Sequence, residues 1–400
     1  MKKGKYYALA LLCACGIGFS MPKIHKNTVE TYAESVQGVV SSNSLQIKAK
    51  SAYLMDYGTG SVMFQQNEKE HLPIASMCKI MTLILCFDAI DNGVIAYDEE
   101  ICVSENASSM GGSQVFLEAN AKYKVNELLK SIVVCSANDS CVALAEKIAG
   151  SESIFVEKMN EKAKELGAHD TLFANCTGLP KEPQYSCAKD VAVMLKELLK
   201  HEKYYEYGKV WLDKFQHPEG RYTEITNTNK LVRFYDGCDG GKTGFTNQAG
   251  FCLGATAKRG DMRVISVVIG EENSKTRFDD TRCLFDYAFA NYTLTPIVVA
   301  DKPLDIQAKV LGGKEKQVEI CPQRTAYAFS KSGEKPEIQT EIVCNKIKAP
   351  VQRGDVVGEL IIYTNNVESE RVNLVCAKDV MKAQLWDKIQ DISKGWNDRK

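Results

Sequence analysis

The 400-residue sequence has little of several things, and each shortage removes a class of function. It has five histidines, widely scattered, and no Cys-x-x-Cys pair, which excludes the compact Cys/His cages of structural zinc sites. Neither sign of charge dominates: 50 Lys and Arg stand against 51 Asp and Glu, so composition gives a nucleic-acid partner no support. No apolar run approaches the ~20 residues that span a bilayer. There is no internal repeat and no low-complexity tract, so solenoids and unstructured scaffolds fall away. At this length a sizeable core and two or three domains are expected.

What is present begins at the N-terminus. Lys2, Lys3 and Lys5 precede an apolar run from Tyr6 to Phe19, the length and flank of an export signal rather than a membrane span. A buried first helix is the alternative, which the basic flank disfavours. Two features compete for the processing point. Thr31-Tyr32-Ala33 ends on a small residue, and Leu12-Cys13-Ala14-Cys15 resembles a lipoprotein box. Ordinary export, with a signal over 1–33, is expected. Fifteen cysteines in an exported chain would usually form disulfides. Here thirteen follow Cys15, an odd number, spread singly through apolar stretches such as "LILCF" and "GFCLGA". They are expected to be free thiols that pack as small hydrophobes.

Residues 34–48 read as a linker. "SAYLMDYGTGSVMFQQN" predicts a hairpin turning at Gly58 and Gly60. From Pro73 to about Gly150 the patterns are mainly helical, and "VNELLKSIVV", "SCVALAEKIAG", "ESIFVEKMNEKAKELGA" and "CAKDVAVMLKELLK" each predict a helix. Strands return near residue 222. "AGFCLGATA" and "MRVISVVIG" flank "KRGD" as a second hairpin, and "KTRFDDTRCLFDYAFANY" predicts a closing helix. The order hairpin, helices, hairpin, helix implies an α+β domain over 46–293, an antiparallel sheet with helices packed on it. Residues 294–376 alternate in short strands with Gly turns, a small all-β domain. In the tail, 377–400, Met381, Leu385, Ile389, Ile392 and Trp396 share one helical face, with Trp386 beside it. Such a stripe among lysines suits either a membrane interface or a seat on its own domain.

Chemistry gathers at "IASMCKIMTLIL". Ser-x-x-Lys occurs four times, at Ser20, Ser76, Ser186 and Ser332, but only Ser76 opens an apolar helix after a proline. Residues three apart share a helix face, so Lys79 can approach the Ser76 hydroxyl. A serine hydroxyl is a weak nucleophile that needs a base beside it. A lysine serves if burial and cationic neighbours lower its pKa. Ser136-Ala137-Asn138 and Lys242-Thr243-Gly244 follow in order. "GGKTG" is not a phosphate loop, because the Gly that a Walker motif requires is replaced by Asp236.

In this order the three motifs resemble the penicillin-binding protein and serine β-lactamase superfamily. The flanks "LPIASMCKIMT", "GGSQVFLEAN", "SANDSCVALAE", "NCTGLPKEPQYSCAKDVA" and "GGKTGFTNQAGFCLGATA" resemble those of low-molecular-weight D-alanyl-D-alanine carboxypeptidases. The likeness spans residues 46–293, with a weaker one, "VQRGDVVGELIIY", in the β domain. It implies a β-lactamase/transpeptidase-like catalytic fold, with a helical lobe beside the sheet. Ser76 would be the acyl nucleophile, Lys79 its base, and Ser136 the proton relay to the leaving amine. Asn138 would hold Lys79 and the substrate amide. Lys242 would disfavour protonation of Lys79 and with Thr243 would receive the terminal carboxylate, with Gly244 and Phe245 also lining the substrate site. The N–H groups of Ser76 and Phe245 would form the oxyanion hole. The implied partners are stem peptides of peptidoglycan ending in D-Ala-D-Ala, and β-lactams as inhibitors. No cofactor, metal or nucleic acid is implied. Asn120 departs from the family's glycine in a turn that Asn tolerates. Tyr185 and Asp190 match a structural stretch.

Within the superfamily the rival is a β-lactamase. Class A enzymes carry Glu-x-x-Leu-Asn between the second and third motifs, and this chain lacks it. A non-catalytic β-lactam sensor or wall-binding protein would need a broken triad or a long membrane segment, and neither is visible. The location implied is the outer face of the cytoplasmic membrane or the wall.

Overall fold

The computed structural model describes residues 27–28, 45–387 and 389. The export signal expected over 1–33 lies outside them apart from Asn27–Thr28, as do Ile392 and Trp396 of the tail. The described chain forms two compact units, residues 45–296 with 327–335, and the remainder of the C-terminal part.

The first unit is built on five antiparallel strands: β1 (Ser51–Asp56), β2 (Val62–Gln66), β3 (Cys238–Thr246), β4 (Gly250–Arg259) and β5 (Met262–Glu271). Their order is β2-β1-β5-β4-β3, so the two sequence-adjacent hairpins meet where β1 pairs with β5. β1 is therefore an interior strand covered on both faces, and all six of its residues are buried. Five helices carry the apolar patterns: α1 (Lys79–Asp91), α2 (Val125–Cys135), α3 (Asn138–Ala149), α4 (Glu152–Glu165) and α5 (Ala188–Leu198). Ile80 of α1 and Val191 and Leu195 of α5 lie against Gly254 on β4, so these helices pack on one sheet face. On the other face α6 (Ser274–Asn291) buries Phe278, Leu284, Phe285 and Ala288 against Leu54, Leu253 and Val264.

Three expectations are corrected. The linker ends before residue 48: Ile47 and Ala49 are buried, and the Lys48 N–H donates to the Asp280 carboxylate at 2.5 Å. One strand pair escaped the periodicity, Glu100–Cys102 with Lys122–Lys124, because it is too short to show a period, and the strands expected near residue 222 begin earlier, with Leu212–Gln216 paired to Tyr222–Thr226. The sequence boundary at 293 also misses a return. Residues 327–335 rejoin the first unit, where Phe329 stacks on Tyr292 with ring centroids 5.1 Å apart.

The second unit is all-β, as its alternation predicts. β6 (Gln307–Leu311), β7 (Gln317–Pro322), β8 (Ile338–Cys344), β9 (Ile347–Lys348), β10 (Val356–Thr364) and β11 (Val367–Cys376) align in the order β8-β10-β11-β7-β6-β9, and the backbone of Asn27–Thr28 pairs on the β8 edge. Met381 precedes the tail helix instead of lying on it, because the helix begins at Leu385. Thirteen cysteines are free among the described residues, nine of them buried, and the thiols at Cys102, Cys283 and Cys344 are exposed.

Candidate active site

Ser76 does not open α1. It lies in the 3-10 turn Ala75–Cys78 that leads into it, with Lys79 as the first α-helical residue. In a 3-10 turn residues three apart eclipse, and the Lys79 Nζ stands 3.0 Å from the Ser76 Oγ. The turn is strained: Ala75 has φ +47°, a left-handed conformation unusual for a residue with a Cβ. Two glycines press closely on it. A Cβ at Gly178 would lie 2.1 Å from the Ala75 carbonyl oxygen, and one at Gly244 would lie 2.5 Å from that of Ile74. Only glycine permits both approaches.

The loop that carries Gly178 delivers three successive carbonyls to the start of α1. Asn175 O accepts from the Cys78 Sγ at 3.2 Å, Cys176 O from the Thr82 Oγ at 2.7 Å, and Thr177 O from the Lys79 Nζ. Asn175 shapes this loop, its Oδ1 accepting from Gly178 N at 2.7 Å and from Thr177 N at 3.2 Å. The Lys79 amine is thus fixed between a hydroxyl and a carbonyl. Burial holds it below the ordinary lysine value. Lys242 is held well below that value too, by burial first and then by the charge of Lys79. The neighbouring thiols do not offset this, since burial pushes Cys135 and Cys141 up to about 12 and keeps them neutral.

Ser136 caps α2 in a left-handed conformation, φ +67°, and its Oγ is buried without a hydrogen-bond partner. Asn138 begins α3. Its Nδ2 donates to Gly111 O at 2.7 Å, while its Oδ1 is buried and unpartnered. The contact expected between Asn138 and Lys79 is not formed: the Lys79 Nζ donates to Ser76 Oγ and Thr177 O. Asp139, which the motif reading passed over, accepts from Val115 N and Leu117 N at 3.1 Å each and so ties the 113–117 loop to α3. On β3, Lys242, Thr243 and Gly244 are buried, and the exposed Phe245 ring lies 4.2 Å from that of Phe251. Lys242 donates to Thr243 O at 3.0 Å. Behind the strand, the Arg277 guanidinium donates to Gly244 O at 3.3 Å. The segments converge: Gly244 touches the Ser76 turn, the charge of Lys79 acts on Lys242, and that of Lys242 acts on Cys135, the neighbour of Ser136.

Tyr185 and Asp190 do structural work nearby. Tyr185 stacks on His71, and Asp190 accepts from Asp170 N at 2.8 Å and Thr171 Oγ at 2.9 Å. Asn120 has φ +64°, the conformation expected of it. Among the described residues one cluster of metal-ligating types occurs, Asp170, Cys187 and Asp190, and internal hydrogen bonds occupy it.

A buried lysine whose ammonium form burial disfavours, hydrogen-bonded to a serine at the start of a helix packed against an antiparallel sheet, is an arrangement suited to active-serine acyl transfer. The chain belongs to the D-alanyl-D-alanine carboxypeptidase family, which matches residues 37–273, and residues 292–382 match the penicillin-binding protein 5 C-terminal domain. D-alanyl-D-alanine carboxypeptidase DacF of Bacillus subtilis is 41% identical over 343 residues, 85% of this chain and 88% of the relative. A peptidoglycan synthesis regulatory factor (PBP3) from Streptococcus pneumoniae is similar in structure, with TM-score 0.69 and 29% identity over 84% of this chain and 99% of its own. Penicillin binding protein 5 from Haemophilus influenzae gives TM-score 0.67 and 28% identity over 86% of this chain and all of its own.

Proposed function

We propose that the chain is an exported serine D-Ala-D-Ala carboxypeptidase that trims the last residue from peptidoglycan stem peptides. The observation that carries this is the Lys79 amine, fixed 3.0 Å from the Ser76 Oγ in a site where burial favours its neutral form. The Ser76 Oγ attacks the carbonyl between the two D-Ala residues while its proton passes to the Lys79 Nζ. The resulting oxyanion is held by the N–H groups of Ser76 and Phe245. The substrate carboxylate lies at Lys242 and Thr243, with Gly244 leaving room beneath. The unpartnered Ser136 Oγ gives its proton to the leaving amine and is resupplied by the Lys79 ammonium, which returns to its neutral form, and Asn138 orients the acyl amide. Water then hydrolyses the ester on Ser76. A β-lactam places a strained acyl carbonyl and a carboxylate where the D-Ala pair does, so it acylates the same oxygen.

Incubation with Nα,Nε-diacetyl-Lys-D-Ala-D-Ala is expected to release one equivalent of D-Ala, with penicillin acylating the enzyme and turning over slowly. Penicillin labelling without D-Ala release would instead make the protein a sensor, and rapid penicillin hydrolysis a β-lactamase.

The proposed location is the outer face of the cytoplasmic membrane, reached through the 1–33 signal and held by the tail. No helix among the described residues is long and apolar enough to cross a membrane. What supports peripheral attachment is exposure: Leu385 and Trp386 are 73% and 74% exposed, and Met381 and Ile389 are exposed too. Removing 377–400 is expected to move the protein from the membrane fraction to the soluble one, with D-Ala release in solution retained. A truncated chain that still sediments with membranes would locate the attachment elsewhere.

A further inference from the structure

Resting on the carboxypeptidase reading, the support of Asn138 can be followed outward to a histidine that none of the three motifs contains. Ser113 O accepts from Asn138 N and Gly111 O from its Nδ2, each at 2.7 Å, so the loop before Glu118 sets where Asn138 points. That loop is strained, since Phe116 has φ +64°. Asp139 holds its N–H groups from one side. From the other, the hairpin of Leu212–Gln216 and Tyr222–Thr226 holds its carbonyls: Thr223 Oγ donates to Val115 O at 3.2 Å, and Arg221 Nη2 to Phe116 O at 3.0 Å. The buried His217 joins these two donors. Its Nε2 lies 2.9 Å from Thr223 Oγ, and its Nδ1 lies 2.9 Å from Arg221 Nη2. Thr223 gives its own proton to Val115 O, and a guanidinium can only donate. The network therefore assigns the imidazole proton to Nε2 and leaves Nδ1 as an acceptor. The other ionisable groups around the ring are Tyr123, whose hydroxyl is 3.1 Å from Nδ1, Glu118, paired with Arg221 at 2.7 Å, and Asp139, which accepts from Val115 N.

We propose that His217 is a positioning residue for acylation, holding the 113–118 loop, and through it Asn138, only as the neutral imidazole. A proton on Nδ1 removes the acceptor that Arg221 meets there and sets an imidazolium against the guanidinium. Arg221 then withdraws, and Phe116 O loses its donor. Burial, and then the charge of Arg221, keep the imidazole below its ordinary value of 6.5, so the loop is held at neutral pH and released in acid.

The test follows rates of acylation by a fluorescent penicillin from about pH 8 to about pH 4.5, across the histidine range. It compares the unchanged enzyme with His217→Gln and Arg221→Gln, at pH values where circular dichroism shows all three folded. Neither variant can switch the loop through a proton on His217 against Arg221. The rate of each variant relative to the unchanged enzyme is therefore level near neutrality and climbs about tenfold in acid, the scale of a displaced positioning group. The titrations of Lys79 and Asp139 are common to all three proteins and cancel in these ratios, as does any constant loss in a variant. Arg221 is exposed, so its variant tests the proposal even if His217→Gln does not fold. A ratio that stays level through the acid range overturns the proposal. If penicillin acylates no form at any pH, the active-serine reading falls and the proposal falls with it.

Discussion

Ser76→Ala takes no covalent label from a fluorescent penicillin, and its D-Ala release drops by about 10⁴-fold or more, the scale seen when an active-serine nucleophile is removed. The hydroxyl makes its hydrogen bond to Lys79, and the 3-10 turn is shaped by the contacts of Gly178 and Gly244 rather than by that bond. The variant is therefore expected to fold, which circular dichroism and thermal unfolding would verify. Labelling that persists in Ser76→Ala would refute the assignment of the nucleophile and direct attention to Ser136, whose Oγ is buried and unpartnered in the same site.

Lys79→Gln is expected to have the second largest effect, a loss of about 10²- to 10⁴-fold in penicillin acylation, the range for removing a positioned general base. The pH dependence follows from burial. Only the neutral amine accepts the serine proton, so acylation by the free enzyme rises with pH as Lys79 deprotonates. Burial disfavours the ammonium, so this limb lies below the ordinary value of 10.5. The limb should vanish in Lys79→Gln. A limb that stays in the ordinary lysine range would defeat the argument. The sign for stability runs the same way. The folded state binds fewer protons than the unfolded one between the lowered value and 10.5, so stability rises with pH across that window. At neutral pH Lys79 costs stability, and Lys79→Met is expected to raise the unfolding temperature while abolishing acylation, a trade common to active sites.

Most of the framework was legible because its helices are long and periodic. "VNELLKSIVV" and "SCVALAEKIAG" both form helices, and the second stops at Gly150 as its sequence predicts. The hairpin of β4 and β5 was legible from its turn. The three catalytic motifs could be found by order and spacing, but their geometry could not. Nothing in "IASMCK" announces a 3-10 turn with Ala75 in a left-handed conformation, because that shape is imposed by Gly178 and Gly244, distant in sequence. Thr177 was invisible as a partner of Lys79 because it acts through its carbonyl, which every residue carries. Arg277 lies in a helix whose charges look solvated, and only the fold turns its guanidinium under β3.

The squeeze on the Ser76 turn also has a bearing on when the protein becomes reactive. Lys79 finds its carbonyl partner 98 residues along the chain, and Gly244 arrives later still. Contacts so distant form late in folding. An unfinished chain has neither a shaped turn nor a dry amine, so its serine is no more reactive than any other. Competence comes with completion of the catalytic unit, and a half-made chain is harmless to its own cell wall.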